Sequence, residues 1–195
     1  TRLRSLVNRA FTPRVIEGMR SHIQGIVDRL LDREQSRGEM DVIGDLAYPL
    51  PVTVICDMLG VPVADHEQIK EWSSDIIREG IADYFRGLLP ERRRNPRTDL
   101  LSSLIAVEEQ GDRLTEGELL STCVLLFIAG HETTVNLIGN GLLALLQHRD
   151  QLERLLADPG LVGTAVEELL RFDSPVQRTA RITNGVVQND DLKVQ

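Results

Sequence analysis

Apolar residues recur at helical spacing along most of the chain, and they are densest between Thr115 and Pro159. Leu119, Leu120, Val124, Leu125, Leu126, Phe127 and Ile128 come first, then Val135, Leu137, Ile138, Leu142, Leu143, Leu145 and Leu146, with no proline among them. Upstream, Thr115-Glu116-Gly117-Glu118 has the form of a capping box, in which the Thr hydroxyl and the Glu carboxylate satisfy free backbone donors. The pattern predicts one helix from about Glu116 to His148, roughly 50 Å long at ~1.5 Å per residue. Its middle, Cys123 to Ala129, is apolar on every side, which is the mark of a buried central helix.

Shorter helices surround this one in sequence. Arg2 to Ala10 reads as a short helix with Leu3, Leu6, Val7 and Ala10 on one face. Thr12-Pro13 caps the next, proline being pre-set for a first helical position. That helix carries Val15, Ile16, Met19, Ile23, Ile26, Val27, Leu30 and Leu31 and ends near Arg37-Gly38. Glu39 to Ile43 reads as extended. Asp45 to Leu59 is helical with a disturbance at Pro49 and Pro51, and Gly60-Val61-Pro62 ends it. Asp65 to Gly80 is amphipathic, with Trp72 as a packing residue. Ile81 to Arg94 continues as helix into the basic run Glu91 to Arg97, which reads as a solvated helix end rather than a docking patch. Asp99 to Gln110, Gln151 to Leu156 and Leu161 to Phe172 are further helices, the last stopped by Pro175. Val176 to Gln195 reads as turns and short strands. No internal repeat or low-complexity segment interrupts this order, so the fold class is mainly α.

Composition narrows the class. The chain has 195 residues, 42% hydrophobic and only 4% aromatic, with a net charge of −8. It is long enough for one domain with a sizeable aliphatic core, and the acidic balance argues against nucleic acid as a partner. No apolar run reads as a membrane span free of polar groups, because Gly-His-Glu-Thr-Thr breaks the central helix. No secretory signal opens the sequence. Cys56 and Cys123, both in apolar surroundings, read as reduced core thiols of a cytoplasmic protein.

The chemistry-bearing stretch lies inside the greasiest helix: Ala129-Gly130-His131-Glu132-Thr133-Thr134. Glycine within a helix costs about 1 kcal/mol against alanine, threonine hydroxyls can bond the carbonyl one turn back, and a carboxylate in apolar surroundings needs a partner or a function. One reading is a packing kink with Glu132 at a water-filled crevice. The other is that Ala129 and Gly130 leave room for a flat ligand, beside which Glu132 and Thr133 form an acid–alcohol pair handling protons. A zinc-hydrolase His-Glu-x-x-His site is excluded, since Val135 stands where the second histidine would be. Glu168 and Arg171, spaced i, i+3, share a helix face and can pair; from spacing alone they are an ordinary surface pair.

Ala-Gly-His-Glu-Thr-Thr on a long apolar helix resembles the oxygen-binding helix of cytochromes P-450, the haem-thiolate monooxygenases. Glu167-Glu168-Leu169-Leu170-Arg171-Phe172-Asp173-Ser174-Pro175 is similar to that family's Glu-x-x-Arg helix and the turn after it. Thr1 to Pro13 resembles its C helix in bacterial members. The three motifs stand in the family's order across nearly the whole chain. The resemblance implies a cytochrome P-450-like helical core, with minor β at the C-terminal end. It implies a single partial domain, residues 1–195, lacking the family's N-terminal sheet and the cysteine-ligand loop expected beyond Gln195. Less chain stands between Gly80 and Asp99 than the family's substrate-lid helices usually occupy.

The resemblance also implies roles. Haem b would be the cofactor and dioxygen the co-substrate, with electrons from a ferredoxin and ferredoxin reductase and a small hydrophobic molecule as substrate. Arg4 and Arg181 would meet the haem propionates, with Arg178 as the rival of Arg181 and the planar guanidinium suiting carboxylates. Ala129, Gly130 and Thr133 would lie against the haem. Thr133 would handle protons on the dioxygen being activated, and Glu132 would relay them from solvent. Leu125, Ile128, Gln177 and Thr179 fall where the family lines its substrate pocket. Glu168 and Arg171 would form a buried structural pair, and Arg2 and Arg9 would sit on the face that meets the electron donor. The alternative to a monooxygenase is a non-catalytic helical fragment or degenerate homologue that keeps the scaffold without binding haem.

Overall fold

A computed structural model describes residues 12–74, 78–109 and 115–178. Helix by helix, the order is α1 (Pro13–Gly18), α2 (Arg20–Gln35), a π-helical turn (Val42–Ala47), α3 (Pro49–Leu59), α4 (His66–Ser74), α5 (Arg78–Arg94), α6 (Leu100–Glu109), α7 (Glu116–Gln147), α8 (Arg149–Ala157) and α9 (Val162–Phe172). Among the described residues there is no strand; the expected strands fall almost entirely in 179–195, outside them.

Local chemistry explains where most of these helices begin and end. Thr12 accepts from Val15 N at 3.3 Å and caps α1, with Pro13 at its first position. In α7 the capping box forms in full: Glu118 N donates to Thr115 Oγ1 at 3.2 Å, and Thr115 N donates to Glu118 Oε2 at 2.8 Å. The central helix then runs 32 residues to Gln147. Gly60 ends α3 in the left-handed conformation, φ 73°, where glycine alone carries no Cβ penalty.

Two local expectations change. The helix expected from Thr12 to Arg37 breaks at Met19, whose N–H bonds Ile16 O and Glu17 O just after Gly18. Residues expected to be extended at Glu39–Ile43 instead lead into the π-helical turn, with Asp41 accepting from Ile43 N at 3.0 Å and Tyr48 N reaching back to Ile43 O. A side-chain cap at Asp41 thus starts a helical turn where an extended piece was expected.

The core gathers around the first half of α7. Leu119, Leu120, Cys123 and Phe127 of α7 pack with Val52, Ile55, Cys56 and Leu59 of α3, with Ile81, Phe85 and Leu89 of α5, and with Leu100, Leu101, Leu104 and Ile105 of α6. Each fully buried side chain of this size contributes about 1.5–3 kcal/mol of apolar burial. Trp72 packs as expected, edge-on to Tyr84 with ring centroids 6.2 Å apart. Tyr84 in turn donates to Asp65 Oδ2 at 2.6 Å, tying α5 back to the start of α4.

Three broader expectations are corrected. By length and composition, Val42–Leu59 and Glu116–Gln147 are each apolar enough to cross a membrane, contrary to the sequence reading; here they pack against each other. The central helix is not buried all round: Leu125 is 64% exposed and Ala129 is open as well. The basic run is not uniformly solvated either. Arg92 is 1% exposed and donates through Nε to Asp99 Oδ2 at 2.8 Å, with further bonds to Glu91 and to the carbonyl of Gly60.

Candidate functional site on the central helix

The open side of α7 is a stripe. Ser121, Leu125, Ala129, Glu132, Asn136 and Leu143 are exposed, while Leu120, Cys123, Phe127 and His131 on the other side are buried. These positions follow the 3.6-residue repeat, so one face of a single helix is left uncovered while its back is packed. Glu132 lies on that stripe at mid-length, and half-buried Thr133 stands beside it at the stripe's edge.

The turn that bears them is tightly bonded to itself. Thr133 Oγ1 donates to Ala129 O at 2.9 Å, and Thr134 Oγ1 donates to Gly130 O at 3.2 Å. His131 Nδ1 bonds Phe127 O at 2.8 Å, its ring tilted on Phe127 and edge-on to Tyr48. His131 is 5% exposed, so it is a packed residue and not a ligand reaching outward. With its proton on Ala129 O, the Thr133 hydroxyl keeps its lone pairs free to accept from the open side.

Gly130 serves a different end from the one its sequence suggests. A Cβ built there would meet Ile55 Cδ1 at 3.0 Å and Cγ1 at 3.2 Å. The space beside Gly130 is filled by Ile55 of α3, while the neighbouring Ala129 is exposed. The sequence alone offered no sign of this, because Ile55 lies 75 positions away.

The remaining predicted site residues are scattered. Leu125 is on the open stripe, whereas Ile128 packs against the core cluster. Gln177 is exposed and donates to Asp173 Oδ1 at 3.4 Å. Arg4, Thr179 and Arg181 lie outside the described residues, as do Arg2 and Arg9; Arg178 is exposed in an irregular segment. Glu168 and Arg171 do pair, in bidentate fashion at 2.8 and 2.6 Å. The burial expected for them is not seen: Arg171 is 71% exposed and Glu168 57%. The hydrogen bond from Arg171 holds the Glu168 carboxyl below its ordinary range. Glu168 edges a cleft of about 430 Å³ between the end of α7, α8 and α9, lined also by His148, Leu155, Leu169 and Phe172. The cleft meets α7 at Ala144 and Leu145, about three turns from Thr133.

Neither cysteine reaches that stripe. Cys56 and Cys123 are both 0% exposed, and burial pushes each thiol up to about 12. Among the described residues, no group of three or more His, Cys, Asp or Glu side chains is arranged to hold a metal ion.

A helix with a packed back, an open face and an acid–alcohol pair at mid-length is the geometry that comparison with known proteins then explains. The sequence model of the family described as "Cytochrome P450" matches residues 63–159. The "Biotin biosynthesis cytochrome P450" of Bacillus subtilis is 46% identical over 201 residues, covering 94% of this chain and 51% of that protein. The chain belongs to the cytochrome P450 family.

Other relatives of the P450 chain agree. The "Vitamin D(3) 25-hydroxylase" of Pseudonocardia autotrophica is 47% identical over 190 residues, covering 91% of this chain and 47% of its own length. Among solved structures, P450BioI in complex with a hexadec-9Z-enoic acid-ligated acyl carrier protein superposes with TM-score 0.82 at 45% identity, covering 90% of this chain and 50% of that one. CYP109E1 from Bacillus megaterium, in complex with testosterone, gives 0.84 at 38% identity, covering 89% and 51%. The chain spans about half the length of the relatives it matches. Its helical core is a P450 core.

Proposed function

We propose that the complete protein is a haem-dependent monooxygenase acting on a small hydrophobic substrate, and that this chain supplies its oxygen-side helix. The observation that supports the reading is the one-sided burial of α7, with Glu132 on the open face and half-buried Thr133 at its edge. A P450 fold implies haem, and the residues present fit one side of it. Leu125 and Ala129 offer apolar surface with no side chain larger than a methyl group at 129, while Glu132 and Thr133 offer polar atoms beside it. The thiolate ligand would come from outside the described residues, since Cys56 and Cys123 face the packed core.

When bound, haem supplies the redox chemistry that activates dioxygen. This chain's own residues would then manage protons and access. Glu132, exposed to solvent, takes up a proton and passes it inward. Thr133 accepts a hydrogen bond from the group that carries this proton, while its own hydrogen stays on Ala129 O, which keeps the hydroxyl oriented. Leu125 keeps water from the apolar end of the stripe. Electrons would come from a ferredoxin-type donor, and the setting would be the cytoplasm. The P450BioI complex with an acyl carrier protein suggests a carrier-bound acyl chain as one substrate to try, and the CYP109E1 complex with testosterone suggests a steroid.

The test is Thr133→Ala in the complete protein. Haem stays bound, while product formed per NAD(P)H consumed falls and hydrogen peroxide rises by the difference. Unchanged coupling removes Thr133 from proton delivery. Absence of any haem absorbance in the complete protein would favour the non-catalytic homologue instead.

A further inference from the structure

The back of the α7 site turn is gripped by two side chains of one neighbour. Tyr48, at the N-terminal end of α3, meets the edge of His131, with ring centroids 6.4 Å apart. Ile55, two turns further along α3, lies lengthwise over Gly130: its Cδ1, Cγ1 and Cβ stand 3.0, 3.2 and 3.6 Å from where a Cβ would be. Positions seven apart share a helix face, so one face of α3 holds two consecutive residues of α7. The residues immediately after them are exposed Glu132 and half-buried Thr133. We propose that Ile55, seated in the notch left by Gly130, is a positioning residue that sets the height and rotation of the turn bearing Glu132 and Thr133.

Packing gives the notch its leverage. Ile55 is 5% exposed and lies among Val52, Cys56 and Leu59, none more than 2% exposed. It has nowhere to retreat, because close-packed interiors transmit a misfit instead of absorbing it. A methyl group at 130 must therefore move α7 by a few tenths of an ångström or turn it. His131 resists on the other side, its Nδ1 bonded to Phe127 O and its ring against Tyr48. A helix is stiff over one turn, so the shift arrives almost undiminished at Thr133, about 4.5 Å further along. Misplacement of about 1 Å can cost on the order of a hundredfold in rate, and a few tenths should cost several-fold.

This inference rests on the proposed function, and the experiment separates the two. In the complete haem-loaded protein, Gly130→Ala is made alone and together with Ile55→Val, which removes the nearest atom, Cδ1. Gly130→Ala alone lowers product per NAD(P)H by about threefold to tenfold, with kcat affected more than KM. The double variant recovers at least half of that loss. Urea unfolding gives a readout independent of turnover: Gly130→Ala lowers the midpoint with Ile55 present and raises it in the Ile55→Val background, where the closest atom is gone and helix propensity outweighs the remaining contact with Cγ1. A loss of coupling that is the same in both backgrounds overturns the proposal. So does a change of sign in stability with coupling untouched, which makes Ile55 a packing residue only. Thr133→Ala runs alongside. If it uncouples while Gly130→Ala does not depend on residue 55, the positioning fails and the functional reading stands; if it is also silent, the functional reading fails too.

Discussion

Asp99→Ala should be among the most damaging single changes in the described part of the chain, although Asp99 is remote from the site. Its carboxylate joins three elements. Oδ2 accepts from Arg92 Nε at 2.8 Å, Oδ1 accepts from Ser102 N at 2.7 Å at the start of α6, and the group lies against the left-handed Gly60 that ends α3. The two side chains of the pair are 1% and 7% exposed. Leaving one buried charge without its partner costs about 3–5 kcal/mol, and loss of the helix cap adds about 1 kcal/mol. Glu91, 35% exposed, remains beside Arg92 and offsets part of this, so the expected total is about 3–5 kcal/mol. That is a large share of a total stability of roughly 5–15 kcal/mol. With m near 2 kcal/mol/M, the urea midpoint followed by circular dichroism should fall by about 1.5–2.5 M. Asp99→Asn keeps size and cap and so isolates the charge. Arg92→Met combined with Asp99→Ala should be less damaging than the sum of the two, since no charge is then stranded. A loss below about 1 kcal/mol for Asp99→Ala would refute the brace, because only solvent-screened pairs are that weak.

Gly60→Ala and Gly38→Ala form a matched comparison: both glycines have φ near 70°, but only Gly60 has a neighbour where a Cβ would stand, the carboxylate of Asp99. Gly38→Ala should cost only about 1 kcal/mol of backbone strain, and Gly60→Ala clearly more, read as the difference between two urea midpoints; equal losses would mean that the Asp99 contact is slack. Cys56 and Cys123 should resist a thiol reagent such as DTNB at pH 8 until the chain unfolds, since burial holds both near 12. For the same reason stability should fall as pH rises above about 9, the ordinary thiol value. Between there and about 12 the unfolded thiols lose protons that the folded ones keep, so unfolding is favoured. Rapid labelling of the native protein would contradict the burial.

Much of this molecule was legible before any coordinate. The capping box at Thr115, the Thr12-Pro13 start and the Gly60 stop are written in three or four neighbouring residues, because helix ends are satisfied locally. The long apolar run named the central helix almost to its last residue, and Ala-Gly-His-Glu-Thr-Thr pointed to the family. What the tertiary structure decided is which side of each residue is used. The all-round apolar stretch Cys123–Ala129 left open which face would be packed, and α3, α5 and α6 cover one side only. Gly130 looked like room for a ligand and is room for Ile55. Arg92 looked like one of several solvated arginines, yet Asp99 and the Gly60 carbonyl draw it inside. Caps and periodicity are interactions between near neighbours along the chain, whereas a notch and a buried charge exist only once distant segments are brought together.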